Sequence, residues 1–419
     1  MEYRLAKVPK ILKYRLNKFS DRLKHNITLE SSKSETNRAL VIAALAGGKS
    51  VIKNISNARD SQTLQKLLKS KLSFWDVKDA GTTMRFLTAY LAIRGSGQTL
   101  TGTDRMKQRP IGPLVNALLD IGADITYMEK EGFPPLEVNR IQEQFSNKIS
   151  IPGNISSQYI SALLMISPCL SNGLTINLTT EVFSRPYIQM TLDLMKTFGV
   201  ESEWRGNSIR TKSQEYSPAT HTIEGDWSGA SYWYSFMALA EGKGYLDIPN
   251  IRNYSSQGDK RIAEIMFQLG VITQYESGKV RLAKRGKQVK SLTLDFRDCP
   301  DLAQTVMVVA AAKGIELEMT GLESLKIKET DRIEAMKNEL FKMGALLLEK
   351  PNSWFLKPSE SLPKSMKVNT YEDHRMAMAF APLCCKMDVT IEDPKVVDKS
   401  YPDFWKEVNK VGVTINSIT

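Results

Sequence analysis

The sequence has few cysteines and histidines and no long apolar run. Its four cysteines (Cys169, Cys299, Cys384 and Cys385) form neither a disulfide framework nor a CxxC metal pair, which is typical of a reducing compartment. Three histidines are too few for a His-rich zinc site. The longest apolar stretches, such as residues 307–312, fall well short of the roughly 18 residues that a membrane span needs. These features exclude a disulfide scaffold, a His-rich zinc protein and a membrane-spanning protein.

The composition is that of a globular protein with an excess of positive charge. Of 419 residues, 42% are apolar and 25% are charged, and this length predicts two or three domains. The net charge of +11 fits nucleic acid, an anionic membrane surface or small anionic substrates as partners. The basic N-terminus lacks the apolar core of a signal peptide and the Ser-rich, acid-free character of a transit peptide. We therefore expect a cytoplasmic protein whose N-terminal Lys and Arg residues face solvent, with a strand near residues 26–29.

Two kinds of helical segment alternate six times along the chain. The first opens with a residue that can cap a helix and then turns apolar, near residues 33, 79, 156, 226, 301 and 372. The second begins near residues 60, 109, 185, 259, 331 and 403. Its last five starts are 72 to 76 residues apart, whereas the first interval is only 49. Runs such as SLTLDF, IELEMTG and VTIED between the helices indicate strands. The pattern predicts an α/β fold of six similar units, three per lobe, with the first unit shortened near residues 69–76.

The helix starts carry an unusual set of cations and small polar residues. Because a helix N-terminus is electropositive, a cation there is unfavourable unless an anion is also present. Taken singly, each residue has an ordinary explanation as a solvated charge or a cap, and Cys299 has no neighbouring His to activate it. Together they predict sites for phosphate or carboxylate groups. The set comprises Lys33, Ser34, Arg38, Gly81, Thr82, Arg85, Arg109, Ser156, Ser157, Gln158, Ser184, Asp301, Lys328, Glu329, Arg332, His374, Arg375 and Lys399.

These segments match the ordered motifs of a known family. They are SKSETNRAL, DAGTTMRF, RMKQRPIG, SSQYISALLM, SRPYI, PDLAQT, KETDR, DHRMAM and DPKVVDKSYPDF. In them the chain resembles the 5-enolpyruvylshikimate-3-phosphate (EPSP) synthase family. The resemblance implies a two-lobed enolpyruvyl transferase-like fold of βαβαββ units that close over a central cleft. One lobe would comprise residues 1–31 and 226–419, and the other residues 32–225.

The resemblance also implies an activity. The family transfers the enolpyruvyl group of phosphoenolpyruvate to the 5-hydroxyl of shikimate 3-phosphate and releases phosphate, on the route to chorismate and the aromatic amino acids. It uses no organic cofactor and no metal. We therefore expect two small-molecule substrates as partners, no nucleic acid, no membrane, and a monomer.

The resemblance assigns roles to named residues. For shikimate 3-phosphate they are Lys33, Ser34, Arg38, Ser156, Ser157, Gln158, Ser184, Asp301 and Lys328. For phosphoenolpyruvate they are Lys33, Gly81, Arg109, Gln158, Arg332, Arg375 and Lys399. Asp301 is the implied base for the 5-hydroxyl, and Lys33 belongs to the catalytic set. Either Glu329 or Lys399 would protonate the methylene carbon.

Charge arithmetic fits such substrates. Each carries a carboxylate and a phosphate of about −1.5 to −2, so together they bring roughly −5 to −6. Eight motif cations oppose Asp301 and Glu329, an excess of six positive charges. We expect the lobes to close when the second substrate binds, because the positive charges of the two lobes repel each other while the site is empty. Since cations lower carboxylate pKa values, Glu329 would need desolvation to stay protonated, which makes Lys399 a rival donor. The cations are Lys33, Arg38, Arg85, Arg109, Lys328, Arg332, Arg375 and Lys399.

The chain departs from the family pattern in four places, the shortened first unit being one. Asp79 stands where Asn is usual, and because a carboxylate repels a phosphate, we expect it to pair with a nearby Arg or to point away. Phe86 follows Arg85 where Pro is common, so it could shift the helix start. Glu30-Ser31 replaces a usual Pro-Gly. Asp79 and Phe86 bear on the affinity for phosphoenolpyruvate and for glyphosate, the inhibitor typical of the family.

Two alternatives stay open on the sequence. The enolpyruvyl transferase that acts on UDP-N-acetylglucosamine shares the fold and the donor, but it requires a reactive Cys that residues 101–109 lack. The second alternative, a basic nucleic-acid-binding protein, is supported only by the net charge of +11. The sequence contains neither a recognised nucleic-acid-binding motif nor aromatic residues interleaved with the charges.

Overall fold

A computed structural model describes residues 12–286 and 289–418. The expectation of a solvent-facing basic N-terminus falls mostly on residues 1–11, which lie outside the described residues. The α-helices are α1 (Lys33–Leu45), α2 (Arg59–Leu68), α3 (Gly81–Arg94), α4 (Asp104–Lys107), α5 (Gly112–Ile121), α6 (Ser157–Ile166), α7 (Arg185–Thr197), α8 (Trp227–Leu239), α9 (Ile262–Gln268), α10 (Ala303–Lys313), α11 (Arg332–Lys342), α12 (His374–Phe380) and α13 (Phe404–Lys410). Short 3-10 helices span Ser167–Cys169, Gly258–Arg261, Pro300–Leu302, Glu323–Ile327, Ala381–Cys385 and Pro394–Lys399.

The strands lie between these helices. They are β1 (Lys13–Leu16), β2 (Lys24–Asn26), β3 (Val51–Lys53), β4 (Phe74–Asp76), β5 (Gln98–Thr101), β6 (Asp124–Tyr127), β7 (Leu136–Asn139), β8 (Lys148–Ile151), β9 (Leu174–Leu178), β10 (Ser202–Arg205), β11 (Ser208–Thr211), β12 (Thr220–Thr222), β13 (Tyr245–Pro249), β14 (Val271–Glu276), β15 (Lys279–Lys284), β16 (Ser291–Asp295), β17 (Glu316–Thr320), β18 (Leu346–Lys350), β19 (Ser353–Lys357), β20 (Ser365–Val368), β21 (Asp388–Glu392) and β22 (Ile415–Ile418).

One unit shows how the repeat is built. β16, α10, β17, α11, β18 and β19 follow each other, and their strands form one sheet in the order β16-β17-β19-β18. Residues 303–311 of α10 are all buried, as expected for a helix that is apolar on every side. In contrast, α11 buries one face only, which includes Ile333, Met336 and Leu340. The two predicted helix types are therefore an inner helix and an outer amphipathic helix of the same unit.

Six small sheets confirm the predicted α/β repeat architecture within the described residues. Five have four strands, in the orders β20-β21-β1-β22, β10-β11-β9-β8, β14-β15-β13-β2, β16-β17-β19-β18 and β4-β5-β7-β6. The sixth contains only β12 and β3. After α2 the chain enters β4, which pairs in parallel with β5 of the next unit. The first unit therefore lacks the antiparallel strand pair of the others, which explains its short interval.

Two N-terminal strands complete sheets that are otherwise built from the C-terminal half. β1 lies between β21 and β22, and β2 pairs with β13. The strand predicted near residues 26–29 is displaced, because β2 ends at Asn26. The amide of Ile27 still donates to Asp247 O, but that of Thr28 turns away to Glu407 Oε2 at 2.7 Å. This side-chain acceptor draws the backbone out of the sheet.

The buried apolar side chains form two separate cores. One draws on residues 16–27 and 227–413, and the other on residues 39–223. Between them two chain segments run side by side, with Ser31 and Gly225 paired as an antiparallel bridge. We propose that each core belongs to one lobe, with residues 1–31 and 226–419 in the first lobe and residues 32–225 in the second. The paired segments are then the two connections between the lobes.

Within the described ranges, none of the helices is both long enough and apolar enough to cross a membrane.

Phe404 lies at the centre of an aromatic cluster in the first lobe. Its ring centroid is 4.9 Å from that of Trp405, 5.7 Å from that of Tyr401 and 6.0 Å from those of Tyr232 and Trp233. Phe404 is fully buried. Since aromatic pairs in such edge-to-face geometry add to the free energy of burial, this cluster stabilises the packing of α13 on α8.

Phe404→Ala should lower the free energy of unfolding of the first lobe by about 3–5 kcal/mol, because the cavity cannot fully collapse. Phe341 is 69% exposed, so the control Phe341→Ala should change that free energy by no more than about 0.5 kcal/mol. Urea unfolding of both variants measures the difference, and equal effects would contradict the central role of Phe404.

Candidate active site

A cleft between the two cores is lined by the starts of helices from both. α1, α3, α6 and α7 contribute from one side, and α11 and α12 from the other. Each helix start directs free N–H groups and a partial positive charge into the same space. A cleft of this construction binds anions.

The structure brings the residues predicted from the sequence together. The resemblance assigns a catalytic or binding role to fifteen residues, and fourteen of them line this one cleft: Lys33, Ser34, Arg38, Gly81, Arg109, Ser156, Ser157, Gln158, Ser184, Asp301, Lys328, Glu329, Arg332 and Arg375. The fifteenth, Lys399, lies directly behind the wall, with its Nζ 3.8 Å from Glu329 Oε1. The residue set is therefore one spatial cluster.

Arg332 is the most heavily bonded cation of the cleft. It is 2% exposed, and its guanidinium donates to Asp373 Oδ2 at 2.6 Å, to Asp301 Oδ1 at 3.0 Å and to Glu329 Oε2 at 2.8 Å. Arg375 Nη2 lies 2.8 Å from Asp301 Oδ2. Asp301 is thus held by an arginine on each carboxylate oxygen.

These cations set the ionisation of the two acidic residues. Burial alone would raise the pKa of Asp301, but Arg375, Lys328 and Arg332 outweigh it and hold that pKa below its usual range. Burial likewise opposes the charge of Glu329, and Arg332, Arg109 and Lys399 lower the pKa of its carboxyl well below the usual value. Both groups are therefore ionised in this arrangement.

Lys399 joins the two lobes. Its Nζ donates to the main-chain oxygen of Asp79 at 2.5 Å and to Asp79 Oδ2 at 2.8 Å. Arg59 also donates to both oxygens of this carboxylate, at 3.0 and 3.2 Å. Asp79 therefore pairs with a nearby Arg, as the charge argument predicts, and it pairs with Lys399 as well. Burial would lower the pKa of Lys399, but Asp60, Glu329 and Asp79 raise it above its usual value.

Asp60 is a site residue that the sequence reasoning missed. Its Oδ2 accepts from Lys33 Nζ at 3.2 Å, and its Oδ1 lies 3.8 Å from Lys399 Nζ. A carboxylate in the first turn of α2 resembles an ordinary helix-start acid, so its sequence position carried no signal. Other cleft residues that the reasoning did not assign are Asn154, Ile155, Tyr159, Phe183, Tyr187, Ser324 and Ile327.

The predicted charge excess is therefore too large. Besides Asp301 and Glu329, the carboxylates of Asp60, Asp79 and Asp373 contact the motif cations. With Arg59, which pairs with Asp79, nine cations thus face five carboxylates, an excess of four rather than six. The sequence count omitted these three acids because their contacts with Lys33, Arg332 and Lys399 form only in the folded chain.

Gly81 makes room for Arg109. A Cβ atom at Gly81 would lie 2.6 Å from Arg109 Nη1 and 2.9 Å from its Cζ, closer than side-chain carbons approach. Arg109 is 7% exposed, and its Nε has no hydrogen-bond partner in the described part of the chain. A buried, unpartnered donor at the cleft wall is suited to an anion.

Phe86 lies in the second turn of α3, which begins at Gly81, two residues after the predicted start of this segment near residue 79. The ring is fully buried, and the guanidinium of Arg38 lies 5.3 Å from its centroid. Arg38 also donates to Thr191 Oγ1 at 2.8 Å and to Ser161 Oγ at 3.0 Å. Burial lowers the pKa of Arg38 to about 10. This packing therefore holds the guanidinium of Arg38 in one orientation at the cleft wall.

Two further observations concern a metal site and the Cys299 thiol. Residues 12–286 and 289–418 contain no cluster of three His, Cys, Asp or Glu side chains that could hold a metal ion. Burial raises the pKa of the Cys299 thiol to about 12, which fits the structural reading of this residue.

His374 is neutral and lines the cleft. Burial and the neighbouring charges of Lys33 and Arg375 hold its pKa well below the usual value. Neither ring nitrogen has a hydrogen-bond partner among the described residues. The imidazole can therefore donate to or accept from a ligand.

Comparisons with known proteins show the family to which the chain belongs. The model of the family EPSP synthase (3-phosphoshikimate 1-carboxyvinyltransferase) matches residues 18–73 and 67–408. The 3-phosphoshikimate 1-carboxyvinyltransferase of Bacteroides fragilis (strain YCH46) is 47% identical over 397 residues, which cover 94% of this chain and 96% of the relative. That of Methanospirillum hungatei is 35% identical over 411 residues, with coverages of 91% and 94%. The solved EPSP synthase of Acinetobacter baumannii has a TM-score of 0.77 at 18% identity, covering 97% of this chain and 100% of that one, which shows the likeness of fold.

Gly81→Ala should displace Arg109 and raise the KM for phosphoenolpyruvate, the substrate that the family resemblance implies for Arg109. Overpacking of this size predicts an increase of about tenfold, with a smaller change for shikimate 3-phosphate. Gly286 has open space around its Cβ position, so Gly286→Ala serves as the control. Steady-state kinetics check both variants, and equal KM values in wild type and Gly81→Ala would contradict the packing argument.

Proposed function

Because the chain belongs to the EPSP synthase family and is a 3-phosphoshikimate 1-carboxyvinyltransferase of the shikimate pathway, we propose that its interlobe cleft holds both substrates at once. The reaction transfers the enolpyruvyl group of phosphoenolpyruvate to the 5-hydroxyl of shikimate 3-phosphate and releases phosphate. One observation supports the proposal above the others. The family's motif residues come from separate segments of both cores and line the same cleft.

Shikimate 3-phosphate is proposed to lie mainly against the second lobe. Ser156 and Ser157 lie at the start of α6. Ser156 Oγ accepts a hydrogen bond from the main-chain N–H of Gln158. Hydroxyls and free amides at a helix start suit a phosphate. The proposed ligands are Lys33, Ser34, Arg38, Ser156, Ser157, Gln158, Ser184, Asp301 and Lys328.

Phosphoenolpyruvate is proposed to lie among the arginines. The unpartnered Nε of Arg109 and the forked guanidinium groups of Arg332 and Arg375 can bind carboxylate and phosphate oxygens in pairs. Gln158 lines the same cleft and is proposed to contact both substrates. The proposed ligands are Lys33, Gly81, Arg109, Gln158, Arg332, Arg375 and Lys399.

Asp301 is proposed as the base that takes the proton of the 5-hydroxyl. In the arrangement described above its carboxylate is strongly stabilised, which makes it a weak base. Two bound polyanions would neutralise part of the charge of Arg375, Lys328 and Arg332 and so raise its pKa towards a useful value. The substrates therefore help to activate the base.

Lys399 is favoured over Glu329 as the donor of the proton to the methylene carbon. The shifts described above leave Lys399 protonated and Glu329 ionised. Glu329 can donate only after bound anions have lowered the local positive potential. We propose that Lys399 protonates carbon and that Glu329, together with Lys33, orients the reacting groups.

We further propose that the chain acts as a cytoplasmic monomer with these two small substrates and no nucleic-acid partner. A single chain supplies every residue assigned to the cleft, so no second copy is needed to complete it. The family match favours neither UDP-N-acetylglucosamine as acceptor nor nucleic-acid binding.

The purified protein should release phosphate only when shikimate 3-phosphate and phosphoenolpyruvate are supplied together. Each substrate alone is the first control, and UDP-N-acetylglucosamine with phosphoenolpyruvate is the second. A colorimetric phosphate assay measures the release. Equal release with UDP-N-acetylglucosamine would contradict the proposed acceptor.

Asp301→Ala should lower kcat by about 100-fold or more, because general base catalysis at the 5-hydroxyl is lost. Shikimate 3-phosphate binding, measured by calorimetry, should change much less. Asp120 is an exposed carboxylate on α5, so Asp120→Ala is the matched control and should keep its turnover. Near-normal turnover of Asp301→Ala would remove Asp301 from the mechanism.

A further inference from the structure

Arg105 is a second-lobe residue on α4 whose guanidinium reaches the first lobe. Its Nε donates to the main-chain oxygen of Glu329 at 2.9 Å, and its Nη2 donates to that of Lys328 at 3.2 Å. The bonds cross more than 220 residues of sequence and join the two cores. The guanidinium of Arg105 therefore binds two consecutive main-chain carbonyl groups rather than a carboxylate.

The two carbonyls have no competing main-chain donor. They belong to the segment between the 3-10 helix Glu323–Ile327 and the start of α11 at Arg332. Within residues 12–286 and 289–418, no backbone N–H donates to either oxygen. Carbonyl groups left over at a helix end need a partner, and Arg105 supplies it for both.

The side chains of this same segment enter the cleft. Lys328 and Glu329 line it, and Glu329 Oε2 accepts from Arg332 Nη2 at 2.8 Å while its Oε1 lies 3.8 Å from Lys399 Nζ. A peptide held at its two carbonyls has little freedom to rotate. The direction of both side chains is therefore set from the opposite lobe.

We propose that Arg105 is a positioning residue that fixes the Lys328–Glu329 peptide, and with it the Glu329 carboxylate, when the two lobes meet. Arg105 does not line the cleft itself. Among the described residues, its side chain hydrogen-bonds only to the main chain of Lys328 and Glu329, and it lines an adjoining pocket with Arg109 and Glu329. It acts through Glu329 and Lys328, and this role rests on the proposed function of those two residues.

The test compares Arg105→Gln and Arg105→Lys with a matched control. Lys107 lies on the same helix α4, and its ammonium pairs with the exposed Glu129 at 2.6 Å, away from the first lobe. Lys107→Gln therefore removes a cation of similar position without touching the proposed contact. A lysine at position 105 would keep the charge but lose the fork that serves two carbonyls.

Arg105→Gln should lower the single-turnover rate by about 10- to 100-fold, because two charge-assisted hydrogen bonds are lost. The dissociation constant of shikimate 3-phosphate should rise by a smaller factor than the single-turnover rate falls, because Lys328 is only one of nine proposed ligands of that substrate. Arg105→Lys should fall between wild type and Arg105→Gln, and Lys107→Gln should match wild type. A single-turnover rate unchanged in Arg105→Gln, or equally reduced in Lys107→Gln, would overturn the proposal.

Hydrogen exchange gives a readout that does not depend on the reaction. Amides of residues 323–331 should exchange about tenfold faster in Arg105→Gln than in wild type or Lys107→Gln, because the segment loses its anchor. Unchanged exchange would contradict the role of Arg105. Absence of phosphate release by the wild-type chain would instead contradict the proposed function, so the two failures are distinguishable.

Discussion

The interaction on which the site depends is the ion pairing of a buried arginine with three carboxylates. Arg332 begins α11, where a cation opposes the helix dipole, and its burial would be costly without Asp301, Glu329 and Asp373. Asp373 also caps α12 by accepting from the amide of Arg375 at 2.9 Å. One carboxylate thus fixes the starts of two helices relative to each other. The positions of Arg332 and Arg375 follow from this network.

The contacts between the lobes converge on the same groups. Lys399 meets Asp79, Arg105 meets the Lys328–Glu329 peptide, and the amide of Ser184 donates to Arg297 O at 2.8 Å. Ser184 has a φ of 56°, a left-handed conformation that is strained for a residue with a side chain. Its bond across the lobes helps to hold that conformation at the start of α7. The contacts that hold the two lobes together are therefore the same contacts that position the residues of the site.

The sequence predicts those features that are encoded locally. Caps, apolar periodicity and Gly or Pro signals locate the twelve main helices, because each signal lies within one or two turns of the element that it marks. The ion-pair partners of the charged residues, in contrast, lie far away in the sequence. Lys399 and Asp79 are 320 residues apart, and Asp60 at the start of α2 resembles any helix-start acid. β1 was also missed, because its place between β21 and β22 is decided by strands from the other end of the chain.

The five carboxylates change how substrate binding must work. If the cations were unpaired, binding of two polyanions would simply neutralise an excess of positive charge. Because half of the eight motif cations already contact Asp60, Asp79, Asp301, Glu329 or Asp373, a phosphate or carboxylate that binds to one of these four must share or replace those contacts. Each such exchange weakens the field that holds the pKa of Asp301 and Glu329 low. Under the proposed role of Asp301, transfer of the hydroxyl proton to its carboxylate becomes favourable only when both anions are bound, so the electrostatics that bind the substrates would also control when they react.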